Sequence, residues 1–288
     1  MIFSIEKEVF LDGLSKAVPI TERKSSLPIL SHVLMEATEQ FLVLTATDLA
    51  VGLRINCEYT VEEPGTIAVP GKKILEIVKE LPAGTISLTL TENGRIKIAA
   101  GNSLFELAGM EAADYPAWAD FDGIEKAQIH ADKLLFMIDK TLFASSNDDA
   151  RFNLNAVLFE QVEEKIKLVA TDGHRLAMID EDLGMSLPLK KVVVPKRSLL
   201  ELKRMLENVK EEVALGFDPK NMVISTERFI MTVRLTEGEY PDYQKVIPPT
   251  SEKRMTADRS AFQQTLRRVA ILTSDRNRGI TLDVRSGQ

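Results

Sequence analysis

A chain of 288 residues with 44% hydrophobic content holds apolar material for roughly two ordinary cores. Its 36 Lys and Arg against 43 Asp and Glu give a net charge of −7. That balance excludes a protein that coats nucleic acid over its whole surface, because phosphate affinity comes from cations displacing counterions, but it leaves room for one basic face on an acidic body.

In chain order, Val9, Phe10, Ala17 and Val18 have helical spacing and predict a first helix. Glu6 and Glu8 stand where a signal peptide would need a basic end and then an apolar run. No stretch approaches the roughly 18 uncharged apolar residues of a membrane span, so the expectation is a cytoplasmic protein with no membrane partner. Cys57 is the only cysteine, which excludes an intrachain disulfide and a thiolate metal cluster and fits a reducing compartment. A second helix is predicted after Pro70, a residue suited to a first helical turn. Alternating apolar runs follow, with Asn93-Gly94 as a hairpin signal.

After a link at 119 to 128 the pattern starts again. Leu134, Leu135, Ile138 and Leu142 predict a helix with Asp132 as its N-cap, another helix follows Pro195, and Asp218-Pro219-Lys220-Asn221 makes a turn. LTATDLAVGLRI from residue 44 matches LVATDGHRLAMI from residue 168. VPGKKILEIVKEL from Val69 matches VPKRSLLELKRML from Val194, and Asp114-Tyr115-Pro116 matches Glu239-Tyr240-Pro241. Three matches in one order at nearly constant offset mean a duplicated domain. A second link at 247 to 255 precedes a third beginning: residues 258 to 284 resemble 132 to 159, with Asp258 as an N-cap and Arg278 opposite Arg151. On this reading about 30 residues of a third copy are present. Antiparallel strands with two helices per copy imply an α+β fold.

The second helix of each copy carries cations where the macrodipole disfavours them: Lys72, Lys73 and Lys79, then Lys196, Arg197, Lys203 and Arg204. Residues 196 to 210 hold five basic and two acidic side chains. A basic stripe repeated at one place suits a repeating polyanion such as a nucleic acid backbone; a solvated helix face is the plain alternative. No aromatic residues interleave it, which argues against base stacking.

Thr171, Asp172, His174 and Arg175 crowd one turn and invite a reading as an enzyme that uses Asp172, His174 and Arg175. Copy one repeats the Ala-Thr-Asp but continues with Leu49, Ala50 and Val51, so the aspartates read better as acceptors for turn amides. No phosphate loop, metalloprotease or nucleophile-elbow motif is present, and no metal or cofactor is expected.

The motifs LPIL (27 to 30), ATDL (46 to 49), VPGKK (69 to 73), DYP (114 to 116), RFNLN (151 to 155), VATDGHRLA (169 to 177), VPKR (194 to 197) and YPDY (240 to 243) resemble the bacterial DNA polymerase III β subunit family, the sliding clamps. The match runs in order from the first residue to about Gly279. The resemblance implies clamp domains at 1–122 and 127–248, with the beginning of a third at 255–288, and antiparallel sheets outside helices that line an inner face. It implies a non-catalytic subunit of a DNA polymerase holoenzyme, a processivity factor that encircles double-stranded DNA without reading sequence. Lys24, Lys72, Lys73, Lys79, Lys196, Arg197, Lys203 and Arg204 would face the DNA.

The resemblance further implies a cleft for short linear motifs of the DNA polymerase III α subunit, the clamp loader and repair polymerases. Its residues would be Arg151, Leu154, Thr171, Gly173, His174, Arg175, Leu176, Pro241 and Val246. It implies a head-to-tail homodimer in which Phe105 and Leu107 of one subunit meet Ile271 and Leu272 of the other. With most of a third copy outside this sequence, the 288-residue chain alone is expected not to close a stable ring. A clamp-like scaffold that binds partner peptides without encircling DNA is the alternative reading.

Overall fold

The computed structural model describes residues 1–21, 27–119, 121, 123–151, 153–273 and 279–285. The chain divides into two compact units, Met1–Pro241 and Asp242–Gln288.

The first unit runs β1 (Ile2–Glu6), α1 (Lys7–Ala17), β2 (His32–Ala37), β3 (Leu42–Thr47), β4 (Val51–Cys57), β5 (Thr60–Glu63), β6 (Gly65–Pro70), α2 (Gly71–Glu80), β7 (Thr85–Leu90), β8 (Arg95–Ala100) and β9 (Ser103–Ala108). It then repeats the order as β10 (Lys126–His130), α3 (Ala131–Thr141), β11 (Ala156–Val162), β12 (Lys165–Thr171), β13 (Leu176–Glu181), β14 (Lys191–Pro195), α4 (Lys196–Leu206), β15 (Glu212–Phe217), β16 (Asn221–Ser225) and β17 (Phe229–Arg234). Apart from β5, each element of the first pass has its counterpart in the second. The duplication read from the sequence is therefore a duplication of structure, in the α+β class expected.

Local chemistry places the breaks. Both second helices start directly after a proline, with Pro70 and Pro195 as the N-cap residues. Gly94 takes φ +71° in the β7–β8 connection and its amide donates to Thr91 O, so Asn93-Gly94 belongs to a slightly longer loop than a two-residue turn. Asp218 Oδ1 accepts from the amides of Lys220 and Asn221 at 2.6 Å each, which closes the β15–β16 turn. Asp132 is not a cap: His130 holds the N-cap position of α3 and Asp132 lies in the first turn, where its charge still suits the dipole. On α1, Val9 is exposed, and Leu14 with Phe10 and Ala17 supplies the buried stripe.

Every strand pair is antiparallel. A five-stranded sheet has the order β5-β1-β7-β8-β9 and a four-stranded sheet the order β13-β12-β11-β14. Between them an eight-stranded sheet, β10-β15-β16-β17-β4-β3-β2-β6, takes half its strands from each copy. The seam is β17 against β4, with Met231 opposite Leu53, Thr232 opposite Gly52 and Val233 opposite Val51. Because of this seam the buried residues of both copies form one continuous core, from Phe3, Phe10 and Ile74 through to Phe159, Leu199 and Met231. The link at 119–128 thus separates two copies of a pattern that share a core.

Helix α1 approaches its sheet closely at Gly13, where an added Cβ would lie 2.7 Å from Cys57 Sγ and 2.9 Å from a Leu44 methyl. Burial, with Asp12 adding to it, pushes the Cys57 thiol up to about 12.

The second unit contains a short 3-10 turn at Tyr243–Val246 and α5 (Arg259–Ala270). Asp258 caps α5 as expected, its Oδ1 accepting from the Ala261 amide at 2.8 Å. No residue of α5 is buried. No helix of the described residues is long and apolar enough to cross a membrane.

Candidate functional site

The turn between β12 and β13 is built around two side chains. Asp172 Oδ1 accepts from the amides of His174 (2.9 Å) and Arg175 (3.0 Å), while its Oδ2 receives Arg175 Nε at 3.0 Å. The amide of His174 first, and the Arg175 bonds after it, hold the Asp172 carboxyl down to about 2. Thr171 Oγ1 accepts from the Gly173 amide and donates to Arg175 O. The Thr171 amide in turn donates to the Tyr240 hydroxyl at 3.1 Å, so the tyrosine of the Glu-Tyr-Pro motif fixes the strand end that carries the turn.

Copy one builds the same frame. Asp48 Oδ1 accepts from Ala50 (2.9 Å) and Val51 (2.7 Å), and the Thr47 hydroxyl donates to Val51 O. The buried Tyr115 hydroxyl bonds His32 O and Thr45 O at 3.2 Å each. The aspartates are therefore acceptors for turn amides in both copies. Asp172, engaged in this way and held down to about 2, is a poor general base at neutral pH.

What differs between the copies lies on the outside of the turn. Gly173, His174 and Arg175 are exposed and Leu176 is half-buried. The loop before β11 comes up beside them: Arg151 Nη1 lies 4.0 Å from where a Gly173 Cβ would stand, and Leu154 is tied into that loop by bonds to Arg151 O and Ser146 N. The Arg175 guanidinium sits 5.7 Å from the Phe143 ring, which is 56% exposed. Arg151, Leu154, Thr171, Gly173, His174, Arg175 and Leu176 thus gather on one side of the first unit. Pro241, exposed, ends that unit, and Val246, also exposed, belongs to the second. Phe143 has no marker in the sequence beyond being an aromatic residue in an apolar stretch.

The cations of the second helices do not all stand alike. Lys72, Lys73 and Lys79 on α2 are exposed, with Glu76 3.7 Å from Lys72 and 3.3 Å from Lys73. On α4, Arg197 and Arg204 are exposed, Arg197 beside Asp48 and Arg204 beside Glu201. Lys203 is bound to Asp139 of α3 at 2.6 Å. Lys196 is half-buried and donates to Ser145 O, Ser146 O and Asn147 Oδ1, pinning the loop at 145–147 to the start of α4. Lys24 lies outside the described residues, as does Arg278. Among the described residues no group of His, Cys, Asp and Glu is placed to hold a metal ion.

Of the residues expected at a subunit interface, Phe105 is exposed and Leu107 half-buried on β9, the open edge of the five-stranded sheet. Ile271 and Leu272, in the second unit, are 79% and 92% exposed.

Two family descriptions cover most of the chain. Residues 1–119 match the N-terminal domain of the DNA polymerase III beta subunit and residues 128–242 match its central domain. The chain is 36% identical over 290 residues to the beta sliding clamp of Pseudomonas aeruginosa, and 34% identical over 295 residues to that of Pseudomonas putida. Each alignment covers 100% of this chain and 79% of the relative. A crystal structure of the Pseudomonas aeruginosa sliding clamp bound to griselimycin superimposes with a TM-score of 0.90 at 35% identity, over 96% of this chain and 76% of that one. The repeated fold and its turn define a DNA clamp, and the chain belongs to the DNA polymerase III beta subunit family, the beta sliding clamps. With membership comes the function of a DNA polymerase processivity factor.

Proposed function

We propose that this processivity factor contributes an arc to a ring that encloses duplex DNA, and that it tethers its partners through the groove beside Gly173 to Leu176. The observation that carries the DNA reading is the repeat of exposed cations on α2 and α4, which includes helix first turns where the macrodipole disfavours them. Charges kept against that local cost suit a phosphate surface, and the shortage of aromatic groups beside them suits an intact duplex held without base contacts.

Ring closure is supported by the seam already present inside the first unit. Met231 and Val233 on β17 are fully buried because β4 lies against them. Their counterparts on β9 are Phe105 and Leu107, which pair with Ile98 and Ile96 of β8 as Met231 and Val233 pair with Ile224 and Met222 of β16. Phe105 stays 40% exposed for want of a neighbouring strand. Edge β9 is thus suited to receive a β4-like strand from another subunit, head to tail.

The groove offers apolar surface at Leu154 and Leu176 with Arg151, His174 and Arg175 around it, a lining suited to a short peptide with an apolar end. Asp172 acts as framework, and the role proposed is non-catalytic. The test has two parts. Loading onto nicked circular DNA followed by release on linearisation would show topological holding within a completed ring, whereas no difference between the two forms favours a scaffold that binds partner peptides without encircling DNA. A fluorescent clamp-motif peptide is expected to lose binding to the His174→Ala plus Leu176→Ala variant; unchanged binding would remove the groove.

A further inference from the structure

A cavity of about 400 Å³ opens on the first unit where β4 meets β17. Its floor is Gly52 and Thr232, paired across the seam. Gly52 lets Thr232 and Trp118 come close, since an added Cβ would lie 2.6 Å from Thr232 Oγ1 and 3.0 Å from the Trp118 ring. Trp118 forms one wall and is held from two sides: the Arg54 guanidinium stands 4.9 Å from its ring, and Phe121 meets it edge-on at 6.4 Å.

Leu49 also lines the cavity, and its backbone is the informative feature. It takes φ +71°, a conformation that costs a side-chain-bearing residue, yet the side chain is 55% exposed. The same turn position in copy two is Gly173 at φ +87°, so the fold accommodates glycine there without strain. Leucine at this position serves neither the turn nor the core. Strain that persists without a structural return marks a functional position, and what Leu49 lines is the cavity. The rim is basic. Lys220 is exposed and has no ion pair among the described residues, and Arg234 has its nearest carboxylate, Glu237, at 3.8 Å.

We propose that this cavity is a second peptide site, which takes the leucine or phenylalanine side chains of a short acidic segment between Leu49 and Trp118 while a carboxylate of the segment meets Lys220 and Arg234. Apolar surface at Leu49, Trp118 and Phe121 beside a cationic rim, where Lys220 has no ion pair among the described residues and Arg234 meets only the exposed Glu237 at 3.8 Å, selects that chemistry. The choice of a peptide as occupant rests on the reading of the copy-two groove, because the two places are related by the duplication: Thr47 and Pro116 of the cavity stand where Thr171 and Pro241 do.

Trp118 is the only tryptophan of the chain, so its emission reports on this cavity. The full chain titrated with the tryptophan-free peptide acetyl-Glu-Leu-Asp-Leu-Phe-amide is expected to show a saturable shift in Trp118 emission and protection from iodide quenching. The His174→Ala plus Leu176→Ala variant should give the same response. Lys220→Glu with Arg234→Glu should weaken it about tenfold or more at unchanged Tm. Leu49→Gly should weaken it with no loss of Tm, since glycine is at ease at that φ. Peptide that binds, by anisotropy of a fluorescein-labelled copy, without moving Trp118 emission overturns the second site and leaves the copy-two groove intact. A Trp118 response lost in the His174→Ala plus Leu176→Ala variant also overturns it. A response that survives while that variant's anisotropy matches the wild type counts against the groove alone, and no binding by either readout overturns both.

Discussion

Arg197 places a guanidinium nitrogen 2.9 Å from Asp48 Oδ2, so a cation at the start of α4 in the second copy closes onto the Ala-Thr-Asp turn of the first. The Arg197 side chain is 60% exposed and that of Asp48 only 4%, which makes the carboxylate the anchored partner and leaves the guanidinium able to turn to another anion. Asp48→Asn keeps an oxygen for the Ala50 and Val51 amides and removes the competing charge. DNA association of Asp48→Asn is expected to equal or exceed wild type, whereas Arg197→Ala weakens it. Arg197→Ala should change stability by no more than about 1 kcal/mol, as an exposed cation does. If both variants lose DNA affinity equally in a retention assay, Arg197 acts only as a strut.

The exposed cations separate from the engaged ones by salt dependence. Lys72→Glu with Lys73→Glu, or Arg197→Glu with Arg204→Glu, should flatten the plot of log K against log salt by roughly 0.9 for each phosphate contact removed. Lys203→Glu places a like charge beside Asp139, and Lys196→Ala frees the loop at 145–147. Those two should lower Tm more than they change the slope, and a slope change as large as that of the α2 pair would refute the distinction.

Asp172 gives the turn a defined acid sensitivity. Its folded value of about 2 lies below the roughly 3.9 of an unstructured aspartate, so its stabilising contribution is complete above that higher value and is lost as pH falls towards 2. Asp172→Asn should remove that part of the pH dependence in acid denaturation curves. Processivity at neutral pH should stay within a few-fold of wild type; complete loss in Asp172→Asn with the fold intact would revive a chemical role for the carboxylate.

Gly13 sits inside a helix, where alanine would ordinarily gain about 1 kcal/mol. Here the added methyl meets Cys57 Sγ and Leu44 in a closely packed layer, and overpacking of that kind costs about 1 to 3 kcal/mol. Gly13→Ala is therefore expected to lower Tm, and Cys57→Ala in the same chain to recover part of the loss. The Cys57 thiol, raised to about 12 and buried, should resist alkylation until the protein unfolds.

Much of the architecture was legible because the chain repeats it. Matching stretches at a nearly constant offset give the order of elements twice over, and the Asp48 and Asp172 turns could be read as amide acceptors because Ala-Thr-Asp recurs while the residues after it do not. The β17–β4 seam was not legible: Val51 to Ile55 alternates and Phe229 to Val233 is a mostly apolar run, as many strands are, and nothing in either pattern says which edges meet. The charges show the same limit. Spacing puts Lys196 and Lys203 on a helix face with Arg197 and Arg204, but their anchors, the carbonyls of 145 and 146 and the Asp139 carboxylate, are neighbours only in space. Leu49 gave no signal either, because a leucine in a left-handed turn looks like any other leucine in sequence.

The eight-stranded sheet that runs through both copies also has a mechanical meaning. A hinge needs a place where few bonds must break, and between the copies there is a continuous ladder over a shared core. The Met1–Pro241 unit should behave as one stiff segment that melts in a single transition. Any opening that lets DNA in would then fall to interfaces outside it, such as the unfilled edge at Phe105.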